Sequence, residues 1–264
     1  MEDELVERKE QLFWRDSIPD EEKSKHLVVS SIEKINEKNM IITLRPQTEA
    51  DCTCQFTPGQ YMALRIPDKD WTARAYSIGS APRPDGSFEV NLRRVEGGRF
   101  TTWAFEEMKE GDELIGIGPM GNFWLKSPPD KPLLFVGRGT GFAPIKAMIE
   151  QQIEFNPSRT MMLYWGITDT SDFFRLEKLQ EWKEKNPNMK IVLTARTISD
   201  GFKPPKGILF SQGTVYDVLA KEPTVLRHWD AYVAGPTKTV RAVLNVLKEK
   251  EVPEQNIFVD AFGG

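Results

Sequence analysis

Four consecutive residues, Arg74-Ala75-Tyr76-Ser77, put a permanent cation, a planar phenol and a hydroxyl into one short run that reads as a strand. Residues two apart on a strand share a face, so Arg74 and Tyr76 point one way and Ser77 the other unless the strand kinks. A guanidinium can grip a phosphate with two parallel N–H bonds, and an aromatic face stacks on another ring. That side of the strand therefore suits a flat, anionic molecule, although a strand tyrosine also packs as an ordinary half-buried aromatic. A second run, Val136-Gly137-Arg138-Gly139-Thr140-Gly141-Phe142-Ala143-Pro144, carries different chemistry. It follows an apolar strand-like segment and opens a helix, where unpaired N–H groups and the helix dipole attract an anion. Its glycines keep Cβ atoms out of the way of a pyrophosphate, Thr140 adds a hydroxyl, and Pro144 suits a first helical turn. Between these runs lie Gly97-Gly98-Arg99-Phe100-Thr101-Thr102, a turn into a helix with backbone donors and two hydroxyls, and Gly118-Pro119-Met120-Gly121-Asn122-Phe123.

These groups need two kinds of scaffold. Residues 1–26 mix acids and bases, with Leu5, Leu12 and Phe13 near helical spacing, which predicts an amphipathic helix or arm. From 27 to 129 short alternating runs, HLVVSSIEKI, MIITLRP, YMALRIP, FEVNLRRV and ELIGIGPMGNFWL, are broken by turns such as Pro84-Asp85-Gly86. That pattern predicts an antiparallel β-barrel. After the linker-like Pro128-Pro129-Asp130-Lys131-Pro132 the period changes, and residues 130–264 alternate strand and helix through five units. The expectation is a doubly wound α/β domain with a five-stranded parallel sheet covered on both faces. Its helices are expected at 143–155, 173–185, 213–220 and 237–250.

Composition narrows the chemistry. With 39% hydrophobic and 28% charged residues the chain builds real cores and a polar surface. A net charge of -4 argues against a partner held mainly through nucleic-acid phosphates. The first residues are too charged for a secretory signal and no apolar run reaches membrane length, so a cytoplasmic protein without a membrane span is expected. The two cysteines, Cys52 and Cys54, and two histidines, His26 and His228, are too few and badly spaced for a metal or iron–sulfur site. Redox chemistry, if any, needs an organic cofactor.

The ordered set Arg74-x-Tyr76-Ser77, Gly98-x-x-Thr101 and Gly137-x-Gly139-Thr140-Gly141-x-Ala143-Pro144 resembles the ferredoxin–NADP reductase superfamily of flavoenzymes. Phe56-Thr57-Pro58-Gly59-Gln60-Tyr61 and Gly118-Pro119-x-Gly121-x-Phe123 look like further signatures, and the resemblance covers residues 27–262. It implies an FAD-binding barrel and a domain for NADPH or NADH. Arg74 would meet the flavin pyrophosphate, Tyr76 would stack on the isoalloxazine, and Ser77 would lie near flavin N5. Arg93 and the turn from Gly98 through Thr101 and Thr102 would hold the rest of the flavin nucleotide. Gly139, Thr140 and Gly141 would cradle the nicotinamide nucleotide, while Thr194 and Arg196 resemble a contact for a 2′-phosphate. Asp260 stands where the family has an acidic residue in its last strand, and Phe262 where an aromatic often closes over the flavin. Catalysis would then rest on Tyr76, Ser77 and Asp260, with no metal. The sequence departs from the family at Ala234-Gly235-Pro236, where a Cys-Gly-x-Pro motif is usual; Gly235 and Pro236 remain and the thiol is gone. The function implied is electron transfer between NAD(P)H and ferredoxin, flavodoxin or another one-electron acceptor, by a monomer. The alternatives are a reductase serving an oxygenase or free flavins, and a redox-sensing subunit that keeps the fold without catalysis.

Overall fold

The computed structural model describes residues 24–48, 55–67, 69 and 73–263. The expected arm over 1–26 and both cysteines fall outside them, except that residues 24–26 begin the first strand.

The first half is a curled antiparallel sheet of β1 (Ser24–Lys34), β2 (Asn39–Pro46), β3 (Tyr61–Arg65), β4 (Arg74–Ser77), β5 (Phe88–Arg93) and β6 (Glu113–Met120). Strand order is β4-β3-β6-β1-β2-β5. The ends meet through an Ile78–Val90 bridge and a bond from Gly79 N–H to Glu89 O at 2.7 Å, closing the barrel at the foot of β4. Alternation puts Phe88, Val90 and Leu92 of β5 into the barrel core with Leu27, Ile42, Leu44, Met62 and Leu114. Glu89, Asn91 and Arg93 are left on the outer face of the same strand. Helix α1 (Arg99–Glu106) plugs one end with Phe100, Trp103 and Ala104.

The second half is a parallel sheet in the order β10-β9-β8-β7-β11-β12. Its strands are β7 (Leu133–Arg138), β8 (Met161–Asp169), β9 (Met189–Thr197), β10 (Leu209–Gln212), β11 (Asp230–Pro236) and β12 (Ile257–Phe262). Helices α2 (Phe142–Phe155) and α3 (Leu176–Lys185) cover one face, and α4 (Val215–Ala220) and α5 (Thr237–Glu249) cover the other. Successive β7 residues feed opposite layers: Leu133 and Phe135 one, Leu134 and Val136 the other. The sheet thus has six strands rather than the five read from the sequence. The extra one, β10, is a four-residue edge strand with no buried residue, so it lacks the apolar run that marks the others.

Helix α3 begins at Leu176 and not at 173, because Phe173 and Phe174 leave a 3-10 turn to wedge against Trp165 at 4.9 Å each. Arg175, in a left-handed conformation at φ 54, turns the chain into the helix. The proline-rich stretch at 128–132 is pinned rather than loose: Arg159 donates to Lys131 O at 2.8 Å and to Pro128 O at 2.6 Å. Among the described residues no helix is long and apolar enough to cross a membrane.

A buried ion cluster joins the two sheets. Lys146 of α2 is 2% exposed and donates to Gly79 O at 2.7 Å, to Glu89 at 3.0 Å and to Glu150 at 2.8 Å. Burial works against the Glu89 charge, yet Lys146 and the nearby Arg175 and Arg83 hold its carboxyl below the usual range. This lysine ties the turn after β4 to the helix that follows the glycine loop.

Candidate functional site

Strand β4 stops at Ser77, and the two residues that strict alternation would set on opposite faces reach one space. Tyr76 and Ser77 both line a cavity of about 260 Å³ at the joint, with Ala75, Asn91, Arg93, Val95 and Thr101 from the barrel and Thr140, Ala143 and Phe262 from the other side. Ligand pockets run to roughly 300–1,000 Å³, so this space suits a ring system with the remainder of a dinucleotide lying outside it.

Phe100 supports the Tyr76 ring from behind at 5.3 Å between centroids. Burial pushes the phenol up, against a smaller pull from Arg74, so Tyr76 stays neutral at physiological pH. Arg74 itself is exposed and lies outside the cavity lining. Ser77 Oγ donates to Asp260 Oδ2 at 3.4 Å. Asp260 is 7% exposed, and burial lifts its carboxyl to about 7, with the Ser77 bond pulling the other way. A carboxyl that exchanges its proton near neutrality thus stands one hydroxyl away from the cavity. Asp260 is paired in register with Ala234, which carries a methyl where the resemblance led one to expect a thiol.

The glycine loop packs against this floor. A Cβ on Gly141 would sit 2.3 Å from Ala234 O, which only glycine permits. Trp165 Nε1 donates to Gly139 O at 3.1 Å and stacks on Phe142 at 3.9 Å, which fixes the loop against β8. The first turn of α2 has no side-chain cap, but it runs on from a 3-10 turn over Gly139–Gly141 whose Gly139 O and Thr140 O accept from the Phe142 N–H, so the helix offers an anion its dipole more than free donors. Cations surround it. Arg138 donates to Thr168 Oγ1 at 2.8 Å, and burial followed by repulsion from Arg93 and Arg196 lowers its pKa. Arg93 reaches across from β5, its Nη1 3.8 Å from where a Gly139 Cβ would be. Gly235 lies against Arg138, 2.9 Å from Cβ to Cβ had it a side chain, and Pro236 ends β11 beside it.

Other expected residues sit differently. Thr101 is buried with its hydroxyl spent inside the turn, accepting from Val95 N–H at 3.1 Å and lying 3.2 Å from Gly98 O, although the residue does touch the cavity. Thr102 and Gly98 are outside the cavity lining. Thr194 is fully buried with Oγ1 unpartnered among the described residues, 2.9 Å from the position of a Gly166 Cβ, while Arg196 is exposed at the end of β9. Asp169 is committed locally, accepting from Ser171 N–H at 2.9 Å and from Ser199, which hold its carboxyl low. Sequence reasoning assigned no role to Asn91, Ala143 or Lys146, and quoted Arg138 without one. The signal for Asn91 was its place on the polar face of FEVNLRRV, opposite Phe88, Val90 and Leu92.

Residues 26–124 match the model of the oxidoreductase FAD-binding domain and residues 135–245 that of the oxidoreductase NAD-binding domain. A CDP-6-deoxy-L-threo-D-glycero-4-hexulose-3-dehydrase reductase of Yersinia pestis is 31% identical over 234 residues, 89% of this chain and 67% of the relative. The chain belongs to the ferredoxin–NADP reductase superfamily. The reductase component of a naphthalene 1,2-dioxygenase system of Pseudomonas putida, a ferredoxin–NAD(P)(+) reductase, is 30% identical over 79% of this chain and 61% of its own length. The solved structure of an Amycolatopsis cytochrome P450 reductase superposes with TM-score 0.80 at 26% identity, over 90% of this chain and 69% of that one. The chain spans about three fifths of the length of the first curated relatives it matches, 61% to 63%. As in other members of the superfamily, its halves are an FAD-binding and an NAD-binding domain. The residues present fit both groups: an aromatic wall of Tyr76 backed by Phe100, and a glycine loop whose open Gly139 position faces the Arg93 guanidinium at 3.8 Å.

Proposed function

We propose that the chain is an FAD-dependent oxidoreductase that draws on NAD(P)H and delivers electrons singly to a separate carrier protein such as a ferredoxin or flavodoxin. The observation that carries this reading is the joint itself: one cavity is lined from the barrel by Tyr76 and Ser77 and from the nucleotide domain by Thr140, Ala143 and Phe262. FAD, when bound, supplies the conversion between a two-electron donor and a one-electron acceptor.

The side chains position and shield. Tyr76 offers its face to the ring, with Phe262 closing the other side. Arg74 at the rim takes a phosphate, and Arg93 stands between the two nucleotide sites. Gly139, Thr140 and Gly141, at the positive end of the α2 dipole, receive the nicotinamide nucleotide's pyrophosphate. Arg138, Arg196 and the end of β11 at Gly235 and Pro236 lie around it, an arrangement that favours NADPH through the extra phosphate. Asp260 holds a proton near neutral pH and passes its position to the cavity through Ser77 Oγ. Ala234 leaves alignment of the two cofactors to packing alone, which slows transfer without abolishing it.

A second reading, a reductase component serving an oxygenase, is favoured by the names of the relatives in Pseudomonas putida and Mycolicibacterium smegmatis. Both readings take the protein as a cytoplasmic monomer. Stopped-flow reduction of the flavin-loaded protein by NADPH and by NADH, followed by mixing with a panel of ferredoxins and flavodoxins, tests the proposal. Fast reoxidation by at least one carrier is expected. Reoxidation by none, with rapid turnover of free flavins, would replace the carrier by a small molecule.

A further inference from the structure

Two nucleotides that meet across a joint are aligned by whatever holds the two domains together. The polar contacts between them form an outer and an inner set. On the outside, Asp172 accepts from Asn36 and Asn39 at 3.1 and 2.9 Å, and Arg175 pairs with Glu33. Glu33 is about half exposed, so water and salt weaken that pair. The inner set is shielded. The Lys146 ammonium has three N–H donors and spends them on Gly79 O, Glu89 and Glu150, all away from solvent. Gly79 and Glu89 belong to the barrel, and Glu150, one turn further along α2, itself accepts from the barrel's Ala81 N–H at 3.0 Å. One helix thus grips both the turn after β4 and the strand β5.

This grip lies beside the cavity without entering it. Gly79 follows Ser77 by two residues and Lys146 follows Ala143 by three, and Ser77 and Ala143 both line the cavity. A Cβ on Gly79 would stand 3.3 Å from Ala143 Cβ, so the two walls meet here with no side chain between them. Separating them leaves buried charges without partners, which makes the contact far stiffer than an exposed pair.

We propose that Lys146 is a positioning residue for electron transfer: by tying the turn after β4 and Glu89 to α2, it sets the spacing between the flavin and nicotinamide sites. This rests on the electron-transfer reading of the joint and supplies the element that fixes the transfer distance.

The test compares the full FAD-loaded chain with its Lys146→Met and Lys146→Met/Glu89→Gln variants. In stopped flow, the rate of flavin reduction at saturating NADPH or NADH should fall at least about tenfold in both, since a misplacement near 1 Å costs up to about a hundredfold. FAD dissociation constants and the nucleotide KM should stay within about threefold of wild type, because Lys146 lies outside the cavity lining. In flavin-free Lys146→Met the Ala81 amide hydrogen should exchange faster. The double variant should recover part of the melting temperature and none of the rate. A reduction rate within about twofold of wild type in both variants overturns the proposal. A rate that returns with the melting temperature overturns it too, leaving Lys146 a purely structural role, as does a rise confined to KM, which would assign it to nucleotide binding. If Lys146→Met does not fold, Glu89→Gln, which leaves Lys146 its other two acceptors, decides alone: a fall of about threefold is expected, and an unchanged rate overturns the proposal. Wild-type protein whose flavin neither nucleotide reduces removes the electron-transfer reading first, an outcome distinct from all of these.

Discussion

Asp260→Asn isolates the cost of burying an ionisable group beneath the cavity. In the unfolded chain this carboxyl titrates near 4, whereas in the fold burial lifts it to about 7. Between those values the folded state binds more protons than the unfolded state, so the free energy of unfolding falls as pH rises from about 4 to about 7, and the loss is complete above 7. Three pKa units correspond to about 4 kcal/mol, an upper value, since relaxation around the charge leaves on the order of 2–4 kcal/mol. Asparagine keeps a carbonyl to accept from Ser77 but has nothing to ionise. Urea unfolding of flavin-free wild type and variant, compared at about pH 4 and about pH 8, should therefore show near-equal stability at the lower pH and a more stable variant at the higher one. A stability difference that is the same at both pH values would mean that Asp260 stays ionised throughout. The proton-holding role of the Ser77–Asp260 pair would fall with it.

Other substitutions probe the joint and the loop. Lys146→Met leaves Glu89 and Glu150 without the buried cation they share and should cost about 3–5 kcal/mol in thermal or urea unfolding, part of it recovered by adding Glu89→Gln; a loss under about 1 kcal/mol would show the cluster to be water-filled. Gly141→Ala drives a methyl to 2.3 Å from Ala234 O, so the loop must move: the KM for NAD(P)H should rise at least about tenfold while FAD uptake persists, and unchanged steady-state kinetics would contradict the cradle. Arg196→Ala should raise the KM for NADPH by roughly tenfold and leave NADH nearly unaffected, whereas equal changes would remove the 2′-phosphate from its duties.

Much of the architecture was legible because hydrophobic period reports it directly. The barrel strands alternate, and β7, β8, β9 and β11 are nearly continuous apolar runs, as strands buried on both faces must be. Strand β10 escaped because an edge strand with partly exposed residues has no such run. The start of α3 was misplaced because Phe173 and Phe174 fit a helical apolar pattern equally well, and only packing against Trp165 shows that they precede the helix. At the site, Tyr76, Ser77 and the glycine loop were readable from residue type and order. Whether Tyr76 and Ser77 could face one space was not, since that depends on β4 ending at the barrel seam made by Ile78 and Val90. Lys146 was silent for a similar reason: it looks like an ordinary polar residue in its own element, and it gains its meaning from the other domain.

The central claim is that this joint brings FAD and a nicotinamide nucleotide together for electron transfer. Purified protein, supplied with FAD and freed of excess, should be yellow with flavin absorbance bands that bleach within seconds when NADPH or NADH is added under nitrogen, and that return when an acceptor is admitted. Protein that stays colourless after FAD loading, or that binds FAD and shows no bleaching with either nucleotide, would contradict the account.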